Sequence, residues 1–257
     1  MDLSRHEINA IKAVAPPPTA NHVLAALPVA EYLRLAPHLE PVELPLGRSV
    51  YEPGDRMSHV FFPTSGIVAR LYASSNGAST ETALKGNEGV VGISTFLGGG
   101  GTTCHAVVIG AGHAYRLHKL VLQREFERGG ELQHLLLRYV QSLLTQIAQN
   151  AVCNRYHSVQ RQLCRWLLLS LDRSSSNELH MTQELIATML GVRREGVTEA
   201  AGSLKDAGLV QLRRGSITVL DRPGLEQRVC ECYSVVRRES DRLLCWNPGR
   251  PALSLAA

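Results

Sequence analysis

The spacing of apolar positions changes character three times along the 257 residues. From Asn21 to Leu39 they recur at helical spacing, but Pro28 and Pro37 interrupt the pattern, which therefore predicts short helices. Between Val42 and Leu117 the rhythm shortens. β-prone runs at Val42–Leu44, Val50–Tyr51, His59–Phe62, Ile67–Tyr72, Thr80–Leu84, Cys104–Ile109 and Ala114–Leu117 alternate with turns rich in Gly, Pro and Asn. Many short strands at such spacing predict a sandwich or jelly-roll barrel. From Lys119 to Asp172 the period is helical again. Leu132, Leu136, Val140, Leu143 and Ile147 draw an apolar stripe down one helix face, widened by Leu135, Tyr139 and Leu144. Such a stripe on a long helix suits a dimerisation seam; packing against the chain's own β-domain is the competing use. A further helix is expected over Asn154–Leu171, with Val159, Leu163, Trp166 and Leu167 inward, followed by a polar loop over Arg173–Glu178.

The stretch from His180 to Leu209 reads as two helices joined by a tight turn. Thr182 can cap the first, Gln183–Leu190, because its hydroxyl oxygen can accept from a free backbone N–H of the first turn. Leu185, Ile186, Met189 and Leu190 supply its buried face, and Gly191 suits the left-handed position after its last turn. The second helix, Arg194 to Ala207, buries Val197, Ala201 and Leu204 and stops at Gly208. Its N-terminus carries Arg193, Arg194 and Glu195, where a recognition helix meets base edges in the major groove. Two β-prone runs, Leu209–Leu212 and Ser216–Leu220, flank Arg213-Arg214-Gly215, so a hairpin tipped with arginines completes a winged helix-turn-helix. Double-stranded DNA is the expected partner.

Charge agrees with that division. The net charge of +4 lies wholly in the back of the chain: residues 1–154 hold 12 Lys+Arg against 12 Asp+Glu, and residues 155–257 hold 15 against 11. No signal peptide and no bilayer-length apolar run is evident, so a cytoplasmic protein without a membrane partner is expected. The six cysteines are scattered and give no disulfide framework. The glycine run Gly98–Gly101 lacks the Lys-Ser/Thr of a nucleotide-hydrolysing loop. No paired carboxylates or nucleophile elbow stand out, so no catalytic site is assigned.

This order of parts resembles the Crp/Fnr family of bacterial transcription regulators. The stretches that carry the likeness are LPLGRSVYEPGD (44–55), HVFFPTSGIVARL (59–71), GNEGVVGISTFLG (86–98) and TQELIATMLGVRREGVTEAAGSLKDAGLV (182–210), and a Cys-Glu-Cys-Tyr segment at Cys230–Tyr233 is similar to one proteobacterial subgroup. The resemblance implies an α+β chain. Residues 1–20 would be a flexible arm, 21–128 a cyclic-nucleotide-binding-like β-roll (a double-stranded β-helix) that senses, and 129–153 a dimerisation helix. Residues 154–235 would be the winged helix-turn-helix, and 236–257 a helix end with a disordered tail. It further implies a homodimer on an inverted-repeat operator, with RNA polymerase as a partner. Arg194 and Glu195 match the family's guanine- and cytosine-reading pair, to which Arg193 and Thr198 are added. Thr182, Gln183, Arg213 and Arg214 match phosphate-positioning groups. Glu199 stands where the cyclic-AMP receptor branch has a second arginine, which puts that branch's half-site in doubt.

The sensor departs further from the family pattern. Cyclic-nucleotide-binding members use a Gly-Glu pair for the ribose and, about ten residues on, an arginine for the phosphate. The corresponding positions here are Gly92-Ile93 and Thr103 or Cys104, so cyclic AMP is not expected as effector. The first cysteine is Cys104, which excludes an N-terminal iron–sulfur ligand set. Cys104-His105 could ligate haem or a metal, and Cys230-x-Cys232 with Cys245 could hold a metal or act as a thiol switch, but the single-residue spacing and missing fourth ligand suit zinc poorly. Packing is the reading adopted for all of them, with no metal site and no cofactor predicted. The other open reading is a ligand- or redox-sensing module whose helix-turn-helix serves a protein partner.

Overall fold

The computed structural model describes residues 16–75, 77–174 and 176–244. Pro18–Ala20 form a single 3-10 turn, so the arm expected over residues 1–20 is ordered by its end. Asn21 ties the first helix to the roll. Its Oδ1 accepts from the backbone of Val23 and Leu24, capping α1 (His22–Ala25), while its Nδ2 donates to the carbonyls of Pro63 and Gly89. Pro28 starts α2 (Val29–Leu35).

Seven strands make up the roll: β1 (Glu40–Leu44), β2 (Ser49–Tyr51), β3 (His59–Pro63), β4 (Ile67–Ala73), β5 (Ser79–Lys85), β6 (His105–Gly110) and β7 (Gly112–His118). They form two antiparallel sheets, ordered β1-β7-β3 and β2-β6-β4-β5. Alternation along β4 shows why the second sheet is apolar on both faces. Val68 turns into the roll with Tyr51, Cys104 and Val108, whereas Ile67, Ala69 and Leu71 turn outward into a core shared with the C-terminal helices.

The chain then enters α3 (Lys119–Glu127) and the 26-residue α4 (Glu131–Tyr156), about 39 Å long at 1.5 Å per residue. The stripe read as a dimer seam is largely consumed inside the protomer, which corrects that expectation. Leu132 and Leu136 are fully buried against Val60, Phe62, Val90 and Leu117 of the roll, and Val140 packs partly on the same cluster. Leu143 is buried as well, beside Val236 and Leu244 of the last helix. Of the five, only Val140 and Ile147 keep partial exposure. The reason is geometric: α4 lies along the roll on one side and receives the C-terminal helix on another.

The helix expected from Asn154 to Leu171 is split. α4 ends at Tyr156, His157 takes extended backbone (φ −106°, ψ 150°), and α5 (Val159–Leu171) starts anew with Ser158 as its cap. The reading domain continues with β8 (Glu178–Leu179), α6 (Gln183–Leu190), α7 (Arg194–Asp206), β9 (Val210–Arg213) and β10 (Ser216–Val219), in sheet order β8-β10-β9. The expected loop over Arg173–Glu178 thus ends in a strand. Two helices, α8 (Arg222–Arg228) and α9 (Glu231–Leu244), complete the domain, so the division placed at 235/236 falls within a helix. Cys245 and the tail from Asn247 lie outside the described residues.

Candidate nucleic-acid interface

Local chemistry builds the reading head as the residues suggest. The Thr182 hydroxyl accepts from Leu185 N at 3.1 Å, Gly191 takes φ +66°, and α7 buries Val197, Ala200, Ala201 and Leu204. That burial fixes the opposite face of α7 outward, leaving Arg193, Arg194, Glu195, Thr198 and Glu199 exposed. The positive end of the α7 dipole adds to Arg193 and Arg194 at the same place. The Thr198 hydroxyl lies 2.8 Å from Gln183 Oε1 and 3.1 Å from the Arg194 carbonyl, so Thr198 couples the first helix to the second. Arg194 Nε is 3.9 Å from Glu184 Oε2 with both side chains well exposed, a weak pair that DNA can displace.

The wing closes the surface. Ser216 pairs with Arg213 in the ladder, leaving Arg214-Gly215 as the turn, where Gly215 adopts φ +80°. A groove of about 300 Å³ is lined together by Thr182, Gln183, Arg194, Arg213, Arg214 and Gly215. Five of the eight residues assigned to DNA from the sequence therefore meet at one exposed site, while Arg193 immediately precedes α7 and Glu195 and Thr198 stand on its first turns.

The residues assigned to an effector pocket are less uniform. Gly92 holds φ +108°, and an added Cβ would meet Val60 at 3.5 Å; Ile93 next to it packs on the roll core. Thr103 is exposed and bonds the Tyr72 hydroxyl at 3.2 Å. Cys104 is buried, and its sulfur accepts from Arg70 Nε at 3.2 Å. A cation missing from position 104 itself thus arrives from β4. Lys85, paired in register with inward-facing Val68, is 2% exposed, and burial together with the nearby Arg70 charge pushes its ammonium down to about 8. Sequence inspection missed both cations, although alternation places Arg70 and Val68 on one face of β4.

The β-roll and the reading head share buried polar contacts as well as a core. Trp166 Nε1 donates to Glu81 Oε2 at 2.7 Å, Asn150 Nδ2 donates to the Thr82 carbonyl at 2.9 Å, and Arg165 donates to Asn150 Oδ1. Burial raises the Glu81 carboxyl above its usual range, and the Arg165 charge opposes that shift. Arg173 bonds Glu88 at 2.7 Å. At the break after α4, Cys153, His157, Cys230 and Cys232 converge, two of which had no assigned role. The detectable signal was Cys153-x₃-His157, one helical turn apart and able to complete the Cys230-x-Cys232 pair.

The arrangement defines a DNA-binding regulator in which a cyclic-nucleotide-binding-like roll and a winged helix-turn-helix are joined by a long helix. Comparison with known proteins agrees at each level. The Crp-like helix-turn-helix domain matches residues 161–228. The CRP-like cAMP-activated global transcriptional regulator of Mycobacterium tuberculosis is 26% identical over 204 residues, covering 76% of this chain and 90% of that protein. The global nitrogen regulator of Synechococcus elongatus is 24% identical, covering 71% and 86%. A Crp/Fnr-family regulator from Eubacterium rectale shares the fold with a TM-score of 0.64 at 17% identity, covering 80% of this chain and 96% of its own. The matched helix-turn-helix segment is Crp-like, and the chain around it is similar to transcription regulators of the Crp/Fnr family. Members of that family are generally not enzymes. Among the described residues, no helix is long and apolar enough to cross a membrane.

Proposed function

We propose that this chain acts as a homodimer on an inverted-repeat operator, with two copies of α7 entering successive major grooves about 34 Å apart. The observation that carries the reading is the groove where Thr182, Gln183, Arg194, Arg213 and Arg214 converge. In this reading Arg194 contacts a guanine edge and Glu195 a cytosine amine, while Thr182, Gln183, Arg213 and Arg214 hold phosphates. Arg193 and Thr198 border the base contacts. RNA polymerase, bound beside the operator, is the partner through which occupancy would change transcription in the cytoplasm.

The dimer seam is reassigned to the face of α4 that the protomer leaves open. Leu137 and Leu144 are 45% and 55% exposed, and Val140 and Ile147 fall on the same side with partial exposure. The steps of three, four and three reproduce the a/d spacing of a coiled-coil seam. Arg70 and Lys85 inside the roll favour an anionic effector, and apolar Ile93 at the ribose position weighs against cyclic AMP. Selection from random duplexes, run with sedimentation of the free protein, tests the proposal. An enriched palindrome and a dimer that Leu144→Arg dissociates are expected; a monomer with no sequence preference would refute it.

A further inference from the structure

The break between α4 and α5 brings soft ligand atoms together from segments distant in sequence. Cys153 lies in the last turn of α4, and His157 leaves the helix one turn later. Cys230 immediately precedes α9, and Cys232 lies in its first turn. Cys153 Sγ is 3.6 Å from Cys230 Sγ, and Cys232 Sγ is 3.6 Å from His157 Nδ1. All four ligand atoms lie within 4.8 Å of one another. The three thiols are buried as a cluster of their own, and the His157 side chain is 10% exposed.

We propose that Cys153, His157, Cys230 and Cys232 form a tetrahedral Cys₃His site for one zinc ion, which ties the end of the long helix to the start of the last one. Scale supports it. Bonds of about 2.3 Å to sulfur and 2.0 Å to nitrogen separate tetrahedral ligands by about 3.5–3.8 Å. The two 3.6 Å contacts already meet that scale, and small side-chain rotations close the rest. A polynuclear iron–sulfur cluster would spread its thiolates around a wider body than this set spans.

The surroundings also fit a metal ligand set. His157 Nε2 faces the Glu231 carboxylate at 3.3 Å, leaving Nδ1 toward the sulfurs. A carboxylate on the far ring nitrogen fixes a ligating imidazole in its tautomer and orientation. A Cys232–His157 hydrogen bond accounts for one of these contacts, but it does not require all four ligand atoms to converge. A disulfide would use two of the sulfurs and leave the third against the ring.

The location gives the ion a mechanical role. α9 lies along α4, and the extended His157-Ser158 link is where the chain passes from that helix into the reading domain. With the ion bound, this link is held at both ends. Without it, the angle between α4 and the head rests on the shared core and on the buried Arg165–Asn150 and Trp166–Glu81 hydrogen bonds.

The full-length protein, purified in a reducing buffer without chelator, should carry about one zinc per chain by elemental analysis. Cobalt added to chelator-stripped protein should give the intense visible bands of a tetrahedral thiolate site. Cys232→Ser should abolish those bands, while Cys104→Ser and Cys164→Ser keep them. Glu231→Gln removes only an exposed carboxylate, so it should fold normally and weaken zinc binding by about 10-fold. Wild type that is metal-free with all thiols reduced and takes up no cobalt would overturn the proposal. So would cobalt bands unchanged by Cys232→Ser, or a Cys153–Cys230 disulfide in the purified protein.

Discussion

The reading head and the β-roll handle charge in opposite ways. On the head, Arg193, Arg194, Arg213 and Arg214 are exposed on helix and hairpin ends, with apolar residues such as Val197, Leu204 and Ile217 anchoring the elements beneath. In the roll, Arg70 is turned inward to Cys104, and Lys85 is buried beside Val68. Glu81, on the outer face of the same sheet, is buried against Trp166. An exposed cation costs little to hold and is free to meet a polyanion. A buried one carries a desolvation cost that only a partner or a ligand offsets. The head is therefore organised for binding, whereas the roll meets the cost of its charges internally, Arg70 at Cys104 and Tyr72, and Glu81 at Trp166.

Substitutions at the two places should separate stability from recognition. The largest effect is expected at the junction. Trp166→Ala opens a core cavity and leaves Glu81 without its donor, so it should destabilise the fold by about 3–5 kcal/mol in urea titrations. A loss under about 1 kcal/mol would show that roll and head are not packed as one core.

The next effect is on the buried lysine. Its folded pKa, about 8, lies below the ordinary 10.5, so the native state binds fewer protons than the unfolded state between these values. Stability should therefore rise with pH from about 8 to about 10.5, and the full cost of burying the charge applies below 8. Lys85→Met should stabilise the protein by up to about 3 kcal/mol at pH 7, with the gain fading over that window. A destabilised Lys85→Met variant at pH 7 would mean that the ammonium is satisfied inside the roll.

Arg194→Ala sharpens the contrast from the other side. It should cost about 1–3 kcal/mol in operator affinity and relax one position of the site, while the unfolding midpoint stays nearly constant. A uniform loss over all duplexes would make Arg194 a phosphate contact instead.

Much of the fold was legible because local chemistry and tertiary structure point the same way there. Thr182, Gly191 and Gly215 each take the cap or turn that their residue type favours, and the seven β-runs fall within two residues of the observed strands. The head was readable for the same reason: helix periodicity fixes which side of α7 is buried, and so which side chains remain outside. The stripe on α4 was misassigned because periodicity reports that a face is apolar and not what covers it. Leu132, Leu136 and Leu143 meet the chain's own roll and α9, and the unpartnered face lies around Leu137 and Leu144.

Sequence by itself determined the order of elements, the helix caps and the arginine-bearing reading surface, since these depend on interactions between residues a few positions apart. Only the tertiary structure decided that Arg70 reaches Cys104, that Trp166 meets Glu81, and that Cys153 and His157 face Cys230 and Cys232 across more than seventy residues of chain. Such contacts depend on how sheets and helices pack against one another, and no local spacing encodes them.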